Sequence, residues 1–322
     1  MNSMNFVDLH CDTLMTLQQE GCGLEAAPGH INLHKLRAGG ALLQCFAAFI
    51  PTHDCAEKYH ITQDPWDFFL TQAALFEREA ARFPDVLCPV RAMADIEQNR
   101  KRGLVSAMLT VEDGVGLDGK IERLQTMYEL GVRMIALTWN YENSVGFPNS
   151  PDPALHAKGL KDFGREVVEE MGRLGMAVDV SHLSEGGFWD VAALCRGPFV
   201  ASHSCARALC DHSRNLTDAQ LRALGEHGGV CGVNFYSRFL REGAEHTAFE
   251  DILRHMAHIA DKAGIEAVAL GSDFDGIDCT LELKDYGGLV PLAERIADRF
   301  GADDAERICS GNALRVLRDT IG

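Results

Sequence analysis

Eight short apolar runs recur along the chain, each followed by a longer polar or amphipathic stretch. They are Phe6–Asp12, Ala41–Ile50, Leu104–Glu112, Met134–Asn140, Met176–His182, Phe199–His203, Gly229–Phe235 and Ala267–Asp273. Most are near-continuous, the pattern of parallel strands covered on both faces. Helical periodicity lies between them, over Phe69–Phe83, Lys120–Leu130, Gly159–Leu174, Thr217–Glu226 and Phe249–Ala263. Two more helices, Leu289–Phe300 and Asp303–Asp319, follow the eighth run. Thr217 reads as a helix N-cap. Eight strands alternating with helices over 322 residues predict an α/β fold, a (β/α)8 TIM barrel. Residues 1–322 are expected to form one catalytic barrel domain with C-terminal helices. A doubly wound open sheet is the alternative, but no complete P-loop follows a run. His53–Asp67 and Tyr141–Pro153 read as long loops at one end of the barrel.

Chemistry in such a barrel sits at the C-terminal strand ends, and the runs end in metal-ligand residue types. The first run ends His10-Cys11-Asp12. Strand alternation puts His10 and Asp12 on one face and turns Cys11 away. Glu112, His182, His203 and Asp273 end four other runs. Each alone has a plainer reading, as a buried structural histidine or a turn carboxylate. Jointly they supply six groups, enough for two metals and a proton-transfer residue. Neutral imidazole suits zinc and related metals. A carboxylate at a strand tip can bridge two ions, and two metals roughly 3.5–4 Å apart activate a water for hydrolysis. Asp273 is placed to act as general base or acid. Asp8 and Asp179 lie earlier in their strands and read as hydrogen-bond partners of ligands or as structural residues. Asp275, just before Gly276, reads as a turn carboxylate.

Lys+Arg 30 against Asp+Glu 47 gives a formal charge of −17, which argues against nucleic acid as a partner. No apolar stretch reaches the roughly 20 residues that span a bilayer, and no basic segment with an apolar signal core opens the chain. The eleven cysteines lack C-x-x-C pairs and fit reduced thiols in a cytoplasmic protein, mostly as small buried hydrophobes.

The ordered motifs Asp8-Leu9-His10-Cys11-Asp12, Val111-Glu112-Asp113-Gly114, Asp179-Val180-Ser181-His182, Ser202-His203-Ser204, His212-Ser213-Arg214-Asn215 and Gly271-Ser272-Asp273-Phe274-Asp275-Gly276 resemble the membrane (renal) dipeptidase family. The resemblance extends to Ser310–Val316 and so covers nearly the whole chain. Asp12, where the generic amidohydrolase signature H-x-H has a second His, favours this branch. The resemblance implies a di-zinc (β/α)8 hydrolase that cleaves dipeptides through a metal-bridging hydroxide and accepts a D-residue at the C-terminal position. It makes His10 and Asp12 ligands of one zinc, His182 and His203 ligands of the second, and Glu112 the bridge. It makes Asp273 the proton carrier and Arg214 the holder of the substrate carboxylate; on sequence alone Arg207 and Arg238 are equal rivals for that task. A homodimer is implied by the resemblance only. Two departures stand out. Trp139, in Leu137-Thr138-Trp139-Asn140, occupies the place of a family His credited with stabilising the tetrahedral intermediate; Trp139 and Asn140 are then candidates for substrate contact. The mammalian members are secreted and lipid-anchored, and neither signal is visible here. An amidohydrolase acting on another small amide, lactone or N-acyl amino acid, and a non-catalytic metal-binding scaffold, are the competing readings.

Overall fold

The computed structural model describes residues 4–322. Its centre is a closed barrel of β1 (Phe6–Asp8), β2 (Ala41–Phe49), β3 (Val105–Glu112), β4 (Met134–Ala136), β5 (Ala177–Asp179), β6 (Val200–Ser204), β7 (Val230–Val233) and β8 (Val268–Leu270). Each strand runs parallel to the next. Asp8 opposite Leu270 closes β8 onto β1. The expected (β/α)8 barrel is therefore the fold. A further strand, Leu87–Pro89, lies outside the barrel on the lower half of β3.

Several strands stop short of their apolar runs. β1 ends at Asp8, β4 at Ala136, β5 at Asp179 and β8 at Leu270. His182 (φ 68°) and Asp273 (φ 60°) occupy the left-handed region, which no strand can continue through. His10, Asp12, His182 and Asp273 therefore sit on turns beyond their strands, while Glu112 and His203 lie within the last residues of β3 and β6, all at the same end of the barrel. The helix expected from Phe69 begins at Pro65, with Asp64 capping it through the Trp66 N–H and Pro at its first turn. The first half of the expected His53–Asp67 loop contains the short helix His53–Lys58. Thr217 caps Asp218–Glu226 as expected, with Gln220 completing the capping box. The last expected helix is interrupted by a π-turn at Arg307–Gly311.

Two apolar clusters show how the barrel is filled. The inner one takes Val7, Leu43, Met108, Met134, Ala177, Val200, Val230 and Ala269, one from each strand. Ala313, Val316 and Leu317 of the final helix join it and plug the N-terminal end. The outer cluster lies between strands and helices and includes Ala107, Leu109 and Val111 of β3. Alternation along β3 thus sends Met108 inward below and Glu112 inward at the top. No helix among the described residues is long and apolar enough to cross a membrane.

Candidate metal centre and active site

The structure brings the six run-ending groups together over the C-terminal mouth. His10 Nε2 lies 3.5 Å from Asp12 Oδ2, 3.7 Å from Glu112 Oε2 and 3.9 Å from Asp273 Oδ1. His182 Nε2 and His203 Nε2 lie 3.0 and 3.3 Å from Glu112 Oε1, and 3.0 Å from each other. Glu112 therefore turns one oxygen to His10 and the other to the histidine pair. Cys11 points away into the outer core, where its Sγ meets the Cys45 carbonyl.

The hydrogen bonds behind the ring decide which nitrogen each histidine presents. The Ser202 hydroxyl donates to Asp179, so its oxygen accepts the proton on His203 Nδ1 at 2.8 Å. Asn140 Oδ1 accepts from His182 Nδ1 at 3.2 Å. Both imidazoles thus aim an Nε2 lone pair at the centre. Burial drives both well below the ordinary histidine range, and the nearby positive charges of Arg214 and His10 add to this. Asp179 also accepts the Ser202 and Ser181 N–H groups, and Asp8 accepts from the Ser272 N–H and hydroxyl at 2.8 and 2.6 Å. These are the supporting roles expected of Asp179 and Asp8. Asn234, at the tip of β7, donates to Asp273 Oδ2 at 2.8 Å. Sequence reasoning missed it, although it is the one polar side chain near the end of the seventh run, next to Phe235.

The residues fit divalent cations. His10 Nε2 and Asp12 Oδ1 are buried without a hydrogen-bond partner, a costly state for a polar atom. His10–Glu112–His203 and His10–Asp12–Asp273 each bring three ligand atoms within 4.8 Å of one another. Burial opposes charge on His10, but Glu112, Asp12 and Asp273 outweigh it and lift its pKa to about 10. Burial and then Asp12 push Glu112 well up; burial pushes Asp273 up to about 7. So many buried acids crowded on one imidazole form a pocket short of positive charge. Imidazole and carboxylate donors suit zinc and its neighbours.

Backbone strain concentrates here. Asp113, His182, Asp273 and Asp275 all have positive φ. Asp275 accepts from the Thr13 hydroxyl at 2.6 Å and the His30 N–H at 2.5 Å, a tie between loops and not a ligand. A Cβ at Gly276 would collide with the Asp12 and Asp273 carboxylates, so the chain needs glycine there to pass over the ring.

A cavity of about 340 Å³ opens above the ring, lined among others by Asp12, Glu112, Trp139, Asn140, His182, Phe239 and Asp273. Trp139 packs its ring against Phe49, with centroids 4.9 Å apart. Arg214 is buried beside this cavity. It donates through Nη1 to Ser204 Oγ at 3.1 Å and through Nη2 to the His203 carbonyl at 3.0 Å, and its Nε has no partner. Its guanidinium lies 5.6 Å from the Phe239 ring. The rivals separate from it. Arg207 belongs to another cleft, bonded to His156, Ser213 and Asn215, and Arg238 is exposed.

Comparison with known proteins follows the same lines. The model of the membrane dipeptidase family (peptidase family M19) matches residues 1–321. A Klebsiella pneumoniae protein, described as an uncharacterized protein in the pqqA 5′ region, is 38% identical over 266 residues, covering 80% of this chain and 97% of its own. The Aspergillus oryzae dipeptidase aclJ is 32% identical over 303 residues, covering 90% of this chain and 70% of its own. A crystal structure of a metallo peptidase from Rhodobacter sphaeroides, bound to a phosphinate mimic of the dipeptide L-Ala-D-Ala, aligns with a TM-score of 0.89 at 28% identity, covering 99% of this chain and 100% of that one.

Proposed function

This chain belongs to the membrane dipeptidase family of metallopeptidases, and on that premise we propose that it hydrolyses dipeptides at a binuclear zinc centre. His10 and Asp12 would hold one ion, His182 and His203 the other, and Glu112 would serve both. Bound there, the ions supply Lewis acidity and a water acidified toward neutral pH. The observation that carries this reading is Glu112, whose Oε2 faces His10 at 3.7 Å while its Oε1 faces His182 and His203 at 3.0 and 3.3 Å. A carboxylate divided in this way between two imidazole groups supports reading Glu112 as a bridge.

The remaining work falls to the chain's own side chains. Asp273, steadied through Oδ2 by Asn234, takes a proton from the attacking water and returns it to the leaving amine. Arg214 holds the free carboxylate of the residue after the scissile bond. Its guanidinium stays charged and matches a carboxylate with two parallel N–H donors. Asn140 fixes His182, and Trp139 shapes the cavity wall with Phe49. A tryptophan supplies one N–H and no positive charge, so Trp139 would offer a developing oxyanion at most one hydrogen bond. Acceptance of a D-residue at the C-terminal position is supported by the L-Ala-D-Ala mimic held by the Rhodobacter sphaeroides relative.

The test is metal analysis of the purified protein followed by hydrolysis of L-Ala-L-Ala, L-Ala-D-Ala and L-Ala-L-Ala amide. Two equivalents of zinc per chain and cleavage of the free dipeptides well ahead of the amide are expected. Saturation at a single ion would overturn the binuclear reading. Equal cleavage of the dipeptide and its amide would overturn the role of Arg214.

A further inference from the structure

The cavity above the ring is lined by five carboxylates and one Lys or Arg side chain, Lys58. Lys58 ends the short helix His53–Lys58 that follows β2. Among the described residues no carboxylate lies within 4.0 Å of its ammonium, which rests instead 5.2 Å from the Tyr59 ring centroid. The segment carrying it is pinned to the opposite loop. The His53 and Tyr141 rings meet at a tilt with centroids 4.4 Å apart, the Tyr141 hydroxyl meets Asp54, and Tyr59 and Trp139 both pack against Phe49.

Topology then fixes what Lys58 can reach. Arg214 stands on the loop after β6, and β2 and β6 are four strands apart in a closed ring of eight. They are diametrically opposed, with the metal-ligand ring between them. A dipeptide whose carboxylate is held by Arg214 and whose scissile carbonyl lies over that ring must extend its amino-terminal residue toward β2. The ammonium of that residue finds acceptors in the same cavity, Asp12 and Asp278 among them. Lys58 is left for the side chain. Resting on the dipeptidase reading above, we propose that Lys58 is a specificity residue that selects dipeptides with an acidic amino-terminal side chain. A flexible four-carbon stem ending in three donors suits a carboxylate carried at variable depth, so glutamate and aspartate are both accepted.

The experiment compares L-Glu-L-Ala with its uncharged isostere L-Gln-L-Ala, in the metal-loaded wild type and in Lys58→Met and Lys58→Glu. The double ratio cancels the repulsion that a chain of charge −17 exerts on any anionic substrate. Wild type should favour Glu-Ala over Gln-Ala, relative to K58M, by about 2- to 5-fold in kcat/KM, the worth of a partly exposed ion pair. That advantage should shrink as salt rises. K58E should turn the preference toward Lys-Ala, while Ala-Ala turnover stays within about twofold in every variant. An unchanged Glu-to-Gln ratio in K58M overturns the assignment. Absence of turnover on all dipeptides overturns the peptidase reading instead. In that case calorimetric binding of Glu-Ala against Gln-Ala, in wild type and K58M, still decides the role of Lys58.

Discussion

The free carboxylate of a dipeptide is the group on which Arg214 is expected to act, and the structure allows the effect to be sized. A guanidinium has five N–H donors. Arg214 commits one to Ser204 Oγ and one to the His203 carbonyl, and its buried Nε–H is unused. The Nε–H with a remaining Nη–H makes a fork for one carboxylate. Each charge-assisted bond is worth about 1.5–3 kcal/mol. Arg214→Lys keeps the charge and loses the fork, about one bond, so kcat/KM on Ala-Ala should fall by roughly 10- to 150-fold. Arg214→Met loses both bonds, about 3–6 kcal/mol, or roughly 10²- to 10⁴-fold. On Ala-Ala amide, which lacks the carboxylate, the two variants should differ from wild type by less than about tenfold. The assay is amine release from both substrates, with thermal melting to show that each variant is folded. If R214M loses as much on the amide as on the dipeptide, Arg214 works through Ser204 and His203 and not on the substrate.

Three further outcomes follow from the same geometry. Gly276→Ala forces a methyl into the Asp12 and Asp273 carboxylates, so activity should fall by about 10²-fold or more while urea stability changes little, since Gly276 lies at the exposed surface. Ser202→Ala cuts the Asp179–Ser202–His203 chain, and metal affinity measured by chelator competition should weaken by roughly 10- to 100-fold. His255 takes the Ala206 N–H on Nδ1 and gives its Nε2–H to the Leu240 carbonyl, and burial lowers its pKa to about 4. The unfolded chain then binds the extra proton first, so His255 removes stability as pH falls from about 6.5 to about 4, at up to about 1.4 kcal/mol per unit. His255→Gln should flatten that part of the urea-midpoint profile; an unchanged slope would contradict it.

The order of the barrel and the members of the ring were legible because both are written locally. A buried parallel strand needs an apolar run, and a ligand at its tip must follow that run. The strand ends were not legible, because positive φ at His182 and Asp273 is a property of the assembled site. The missed helices have physical causes as well. Glu185–Leu194 contains two glycines and little amphipathic contrast. Met93–Arg102 buries only Met93, Ile96 and Asn99, too narrow a stripe to stand out among its charges. Asn234 acts on Asp273 beyond the neighbouring strand, and Lys58 faces the cavity from the helix after β2; neither placement leaves a periodic signal in the sequence. Arg214 could be told from Arg207 by sequence only through family resemblance; in three dimensions the unused Nε separates them.

The seam that closes the barrel has a consequence for synthesis. Asp8 bonds to Ser272 across 264 residues of chain, and the ring draws His10 and Asp12 from one side of that seam and Asp273 from the other. A ribosome releases His10 and Asp12 early and Asp273 only when the eighth strand emerges. Until then the nascent chain has separate imidazoles and carboxylates but no enclosed pocket. The candidate pocket is therefore complete only once the barrel has closed, and an ion held there would add its binding energy to that last step of folding.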